Sequence, residues 1–166
     1  MNMLAAKAKV MLVDDHPILR HGIAMLINLN PDMEVIAEAG DSEEALAILK
    51  AGHLPDIVLM DVSLKTVSGF DIIKGLHSLI PALPVLVVSI NDEAGYAEQA
   101  LRAGARGYVM KQEPGKVLIT AIREVLKGNF YLSKPIQALL ERVMTGNLES
   151  KPLINSLTPP SLKCCI

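Results

Sequence analysis

The chain has 166 residues and a formal charge of −2, with 51% hydrophobic and 20% charged residues. That balance excludes wholesale disorder and gives no global reason to expect a nucleic-acid or membrane surface. Aromatics are only 3% and Trp is absent, so any core must be aliphatic.

The start, Met1 to Lys9, lacks the apolar core of a signal peptide. The apolar run Val10-Met11-Leu12-Val13 then predicts a strand over 8–13, and the spacing after Pro17 a helix over 17–29. Pro17 suits a first helical turn, where a missing N–H costs nothing. A strand at 34–39 follows. Asp41 or Ser42 can cap a helix over 42–51, with Glu43 and Glu44 in its first turn. Strands at 56–60, 84–88 and 107–109 alternate with helices at 69–79, 95–103 and 114–127. Pro114 is placed in a first helical turn like Pro17. Gly52, Gly104 and Gly128 fall where helices should stop. Val117, Leu118, Ala121, Ile122, Val125 and Leu126 share one face of the last of these helices.

Five strand–helix units predict an α/β fold, a parallel sheet with helices on both faces. One domain spans residues 1–131. Ser133-Lys134-Pro135 opens a short linker helix within 132–146. Residues 147–166 are polar and Pro-rich and are expected to be a disordered tail. Cys164 and Cys165 are adjacent, where a structural disulfide would be strained. Lys163 stands where a prenylation box needs Cys. A reduced tail follows, and the missing export signal implies a cytoplasmic location. No run of roughly 18 apolar residues suggests a membrane span.

Polar groups sit just past the ends of the apolar runs. Asp14 and Asp15 follow the first, Asp61 follows Ile57-Val58-Leu59-Met60, Ser89 follows Val85-Leu86-Val87-Val88, and Lys111 follows Tyr108-Val109-Met110. In an open α/β sheet those ends form one edge, where crevices bind ligands. Three carboxylates brought together repel unless a cation joins them. Oxygen-only ligands of this kind favour Mg²⁺ over a soft metal. Of the histidines, His16 lies near the acids, but packing at the helix start is expected rather than ligation. Gly104-Ala105-Arg106-Gly107 is no nucleotide loop, because it precedes a strand.

These residues, in this order, resemble the receiver domain of a bacterial two-component response regulator over residues 7–131. Val13-Asp14-Asp15-His16-Pro17 and Ala103-Gly104-Ala105-Arg106-Gly107-Tyr108-Val109-Met110-Lys111 are similar to the NarL/FixJ (LuxR-type) branch. The resemblance implies a flavodoxin-like (CheY-like) five-stranded parallel sheet. It implies Asp61 as phosphoacceptor from a sensor histidine kinase. Asp14, Asp15, Asp61 and the backbone carbonyl of Ser63 would hold Mg²⁺. Lys111 would contact a phosphoryl oxygen. Ser89 and Tyr108 would be the switch pair, altering the face formed by the fourth helix, fifth strand and fifth helix. A homodimer could use the first and fifth helices or that switched face.

Lys65 stands where many receivers have Pro, which should loosen its loop and add a charge near the site. Gln112 replaces another frequent Pro, so no cis peptide is assumed beside Lys111. Leu157-Thr158-Pro159 matches the opening of the branch's helix-turn-helix, then the sequence diverges. The expectation is a transcription regulator's receiver whose DNA-reading part is absent from this chain. A stand-alone receiver acting as phosphorelay shuttle, phosphate sink or protein-binding switch is the alternative. A hydrolase using an Asp nucleophile is a third option, without a lid or substrate pocket in the sequence to support it.

Overall fold

A computed structural model describes residues 6–62, 69–90, 94–134, 136–138 and 141. Six strands form one parallel sheet: β1 (Ala8–Val13), β2 (Met33–Ala39), β3 (Ile57–Met60), β4 (Val85–Ser89), β5 (Gly107–Met110) and β6 (Tyr131–Leu132). Their order is β2-β1-β3-β4-β5-β6. Five helices connect them: α1 (Pro17–Asn28), α2 (Ser42–Lys50), α3 (Gly69–Leu79), α4 (Ala94–Ala103) and α5 (Gly115–Leu126). The first five strands carry the flavodoxin-like order, with its reversal between β1 and β3. The sixth strand corrects the five-strand expectation. Tyr131–Leu132 is too short to show a periodic signal, and it forms because the edge of β5 offers unpaired backbone groups.

Alternate residues of the central strands feed two cores. Val10, Leu12, Ile57, Leu59, Leu86 and Val88 pack with Ala24 and Ile27 of α1 and with Leu118, Ile119, Ile122 and Val125 of α5. Met11, Val13, Val58, Met60, Val85 and Val87 face the other way, towards Ala45, Ile73, Leu76, Ala97 and Ala100 of α2, α3 and α4. The strands are therefore apolar on both faces, as a sheet covered twice requires. Each buried aliphatic side chain contributes about 1.5–3 kcal/mol.

The local signals hold with one adjustment. Pro17 is inside the first turn of α1. Asp41 caps α2, its carboxylate accepting from the Glu44 amide at 2.8 Å. Gly52, Gly104 and Gly128 follow α2, α4 and α5 at positive φ. Pro114 lies one residue earlier than expected, as the N-cap of α5 with extended ψ of 147°. Residues 134, 136–138 and 141 are helical. The tail expected at 147–166 lies outside the described residues.

Asp32 and Glu98, both away from the sheet's C-terminal edge, have displaced acidities. The Arg123 guanidinium, bound to Asp32 at 3.0 and 3.1 Å, holds that exposed carboxyl below its usual range. Burial pushes Glu98 of α4 above its usual range, against the opposing charge of Arg102.

Candidate functional site

The register of the sheet brings the strand ends together. Val13 of β1 pairs with Met60 of β3, so Asp14 and Asp61 emerge side by side. The backbone fixes them further: the Asp61 amide donates to the Val13 carbonyl at 3.0 Å, and the Asp14 amide to the Ala39 carbonyl at 3.0 Å. Ser89 ends β4 opposite Met110 of β5. The Lys111 amide donates to the Ser89 carbonyl at 2.8 Å, placing the hydroxyl-bearing and ammonium-bearing residues on adjacent strand ends.

The side chains complete a charged cluster. The Lys111 ammonium donates to Asp14 Oδ2 at 2.9 Å and to Asp61 Oδ2 at 3.1 Å. Asp14, Asp61 and Ser89 are buried, so these contacts are little screened. Asp15 is half-buried beside them. Gly69, at the start of α3, presses against the backbone of Asp61 and Val62. A Cβ there would collide with Val62 Cα and lie 2.9 Å from the Asp61 carbonyl oxygen. Glycine is therefore required to bring α3 up against the backbone of Asp61.

Asp14, Asp15, Asp61, Lys111 and Ser89 meet at one edge, as the strand-end pattern predicts. Ser63 and Lys65 lie outside the described residues. Tyr108 is on β5 and fully buried. Two neighbours escaped the sequence reading. His16 was expected only to pack at the helix start, and it does occupy the N-cap of α1. Its Nδ1 also lies 3.0 Å from Asp14, 3.1 Å from Asp15 and 3.6 Å from Asp61. Arg20 donates to the Asp14 carbonyl at 2.6 Å and to Glu38 Oε1 at 3.0 Å, tying the acidic loop to β2. Its only sequence signal was a position one helical turn after His16, on the same face.

Ligand atoms of Asp14, Asp15, His16 and Asp61 all lie within 4.8 Å of one another. The carboxylate oxygens are hard donors in a compact group, and one lysine cannot balance three such charges. This donor set fits a hard divalent cation that keeps part of its water shell, such as Mg²⁺. The arrangement can hold a cation beside a carboxylate nucleophile and direct an ammonium at an oxygen on that carboxylate.

Residues 10–123 match the response regulator receiver domain. The chain is 35% identical to the nitrate/nitrite response regulator protein NarP of Escherichia coli over 86% of its length and 66% of NarP. It is 39% identical to the transcriptional regulatory protein UhpA of Salmonella typhimurium, over 79% of this chain and 65% of UhpA. A LuxR-family two-component response regulator from Aurantimonas superposes with a TM-score of 0.78 at 35% identity, covering 84% of this chain and 99% of that one. The chain spans about half to two thirds of the length of the first curated relatives it matches, 53%, 66% and 68%.

Proposed function

Because the chain belongs to the response regulator receiver family, we propose that it accepts a phosphoryl group on Asp61 from the phosphohistidine of a sensor histidine kinase. The observation that carries this reading is the Lys111 ammonium bridging Asp14 and Asp61 at the buried strand edge. An Asp61 carboxylate oxygen attacks phosphorus, the phosphorus–nitrogen bond of the donor breaks, and the histidine nitrogen leaves with the electron pair. Asp14, Asp15 and Asp61 would hold Mg²⁺, with the Ser63 carbonyl as the further ligand that the family resemblance implies. When bound, Mg²⁺ supplies charge neutralisation and a template for in-line transfer. Lys111 releases Asp61 Oδ2 and takes a phosphoryl oxygen as a point charge. Ser89 hydrogen-bonds another oxygen of the group, and Tyr108 repacks behind it.

The phosphoryl group stays on the chain until water slowly removes it, so this is a switch rather than a turnover enzyme. It adds about −1.5 to −2 charges and strong acceptors. Relatives named as transcriptional regulatory proteins favour control of transcription over a stand-alone shuttle. DNA contact would then come from a separate output domain, with receivers pairing as a homodimer in the cytoplasm. Among the described residues no helix is long and apolar enough to cross a membrane.

Incubation with Mg²⁺ and radiolabelled acetyl phosphate tests the assignment. A label that needs Mg²⁺ and disappears in Asp61→Ala supports it. Full-stoichiometry label in Asp61→Ala overturns it.

A further inference from the structure

Strand β6 and the turn after it lie beyond residues 10–123, the part that matches the receiver family. β6 runs parallel to β5, with Tyr131 beside Gly107 and Leu132 beside Tyr108. The Tyr131 amide donates to the Arg106 carbonyl at 3.0 Å, and the Ser133 amide to the carbonyl of Tyr108 itself at 3.2 Å. The chain then folds back. The Gln137 amide donates to the Ser133 carbonyl at 2.9 Å, and the Gln137 side chain to the Leu132 carbonyl at 2.7 Å. Ile136 is fully buried and belongs to the same core as Tyr108, Ala97 and Ala100. The seat for β6 is cut to fit: a Cβ at Gly107 would lie 2.6 Å from the Tyr131 carbonyl oxygen.

The same layer contains small side chains and two unpartnered polar atoms. Helix α4 meets the core through Ala97, Ala100 and Ala103, small side chains that make few dispersion contacts, with Tyr96 partly buried beside them. Glu98 Oε2 on α4 and Ser133 Oγ after β6 are both buried without a hydrogen-bond partner. A rearrangement that wets either group recovers its hydration.

We propose that residues 131–134 and 136–138 form an intramolecular latch on the face made by α4 and β5, and that this latch passes the state of the Asp61 site to the chain beyond it. This rests on the reading of Asp61 as phosphoacceptor and Tyr108 as its switch partner. Tyr108 is enclosed, and close-packed cores change between discrete arrangements rather than by continuous flexing. A new place for its ring would disturb the core it shares with α4 and Ile136. Its carbonyl also anchors Ser133, so a shift of β5 reaches the latch through one hydrogen bond and one shared core. By linkage, loosening the latch must alter how readily the site takes a phosphoryl analogue.

NMR on the full 166-residue chain with Mg²⁺ and beryllofluoride tests this. The shifts of the Asp61 and Lys111 amides report the site, and exchange rates of the Ser133 and Gln137 amides report the latch. Beryllofluoride is expected to move the site shifts and to speed latch exchange by about fivefold or more, the lower end of coupling between two sites. Ile136→Ala is expected to speed latch exchange without the probe and to lower the half-saturating beryllofluoride concentration. If Ile136→Ala does not fold, Ile136→Val makes the same comparison with a single methylene removed. Shifted site amides with unchanged or slower latch exchange, or half-saturation unaltered by the Ile136 variant, overturn the latch and leave the proposed function standing. Site amides that ignore beryllofluoride, or respond equally in Asp61→Ala, overturn the function and the latch with it.

Discussion

Replacing Lys111 with Met keeps most of the aliphatic stem and deletes the ammonium. That group lies 2.9 Å from Asp14 and 3.1 Å from Asp61, with side chains 5%, 7% and 2% exposed respectively. At an effective dielectric of about 20, each contact carries roughly 5 kcal/mol of Coulomb attraction. Desolvation of the charges in the native protein offsets much of it. The net loss on removing one partner from a buried pair is about 3–5 kcal/mol, because the remaining carboxylates stay buried and uncompensated. For a chain of this size that lowers the melting temperature by about 6–20 °C. Thermal melts followed by circular dichroism measure it, with and without Mg²⁺. The gap between wild type and Lys111→Met should narrow in Mg²⁺, which would supply the missing positive charge. A variant that melts at or above the wild-type temperature in metal-free buffer would refute the picture of Lys111 as the charge holding the acids together.

Three further outcomes follow from other contacts. Glu98→Met should stabilise the chain by about 1–2 kcal/mol at pH 7, since a buried carboxylate whose Oε2 has no hydrogen-bond partner is replaced by an apolar side chain. Burial raises the Glu98 carboxyl, so its penalty is absent while both folded and unfolded forms are protonated and grows as pH rises through the raised folded value. The advantage should therefore vanish below the ordinary value of 4.5; urea melts showing an equal gap at pH 7 and pH 4 would contradict this. Gly107→Ala should cost about 1–3 kcal/mol by forcing β6 off β5, and an unchanged urea midpoint would show that β6 yields freely. Arg20→Met frees the Asp14 carbonyl and should weaken Mg²⁺ binding about tenfold, as losing a supporting partner does; calorimetric titration giving wild-type affinity would remove Arg20 from the site.

The sheet and its edge were legible because both rest on local signals. Apolar runs of three or four residues with a polar group after each can be read without knowing any contact, and parallel pairing then places Asp14, Asp61, Ser89 and Lys111 together. What escaped depends on tertiary contacts. His16 reaches the acids through the turn into α1, and Arg20 through a backbone carbonyl. Glu98 reads as an ordinary surface acid of α4 and is instead 2% exposed, because Ala97 and Ala100 let the helix lie close to the sheet. β6 needed the empty edge of β5 and the missing side chain of Gly107. Neither is written in the sequence of Tyr131–Leu132 itself.

The most direct measurement is to find which carboxylate carries the phosphoryl group. Reducing the phosphorylated chain with borohydride converts an acyl phosphate on aspartate to homoserine, and peptide sequencing locates it. The expected product is homoserine at position 61, with Asp14 and Asp15 intact. Homoserine at position 14 or 15, or none at all after treatment with Mg²⁺ and a phosphoryl donor, would contradict the assignment of Asp61.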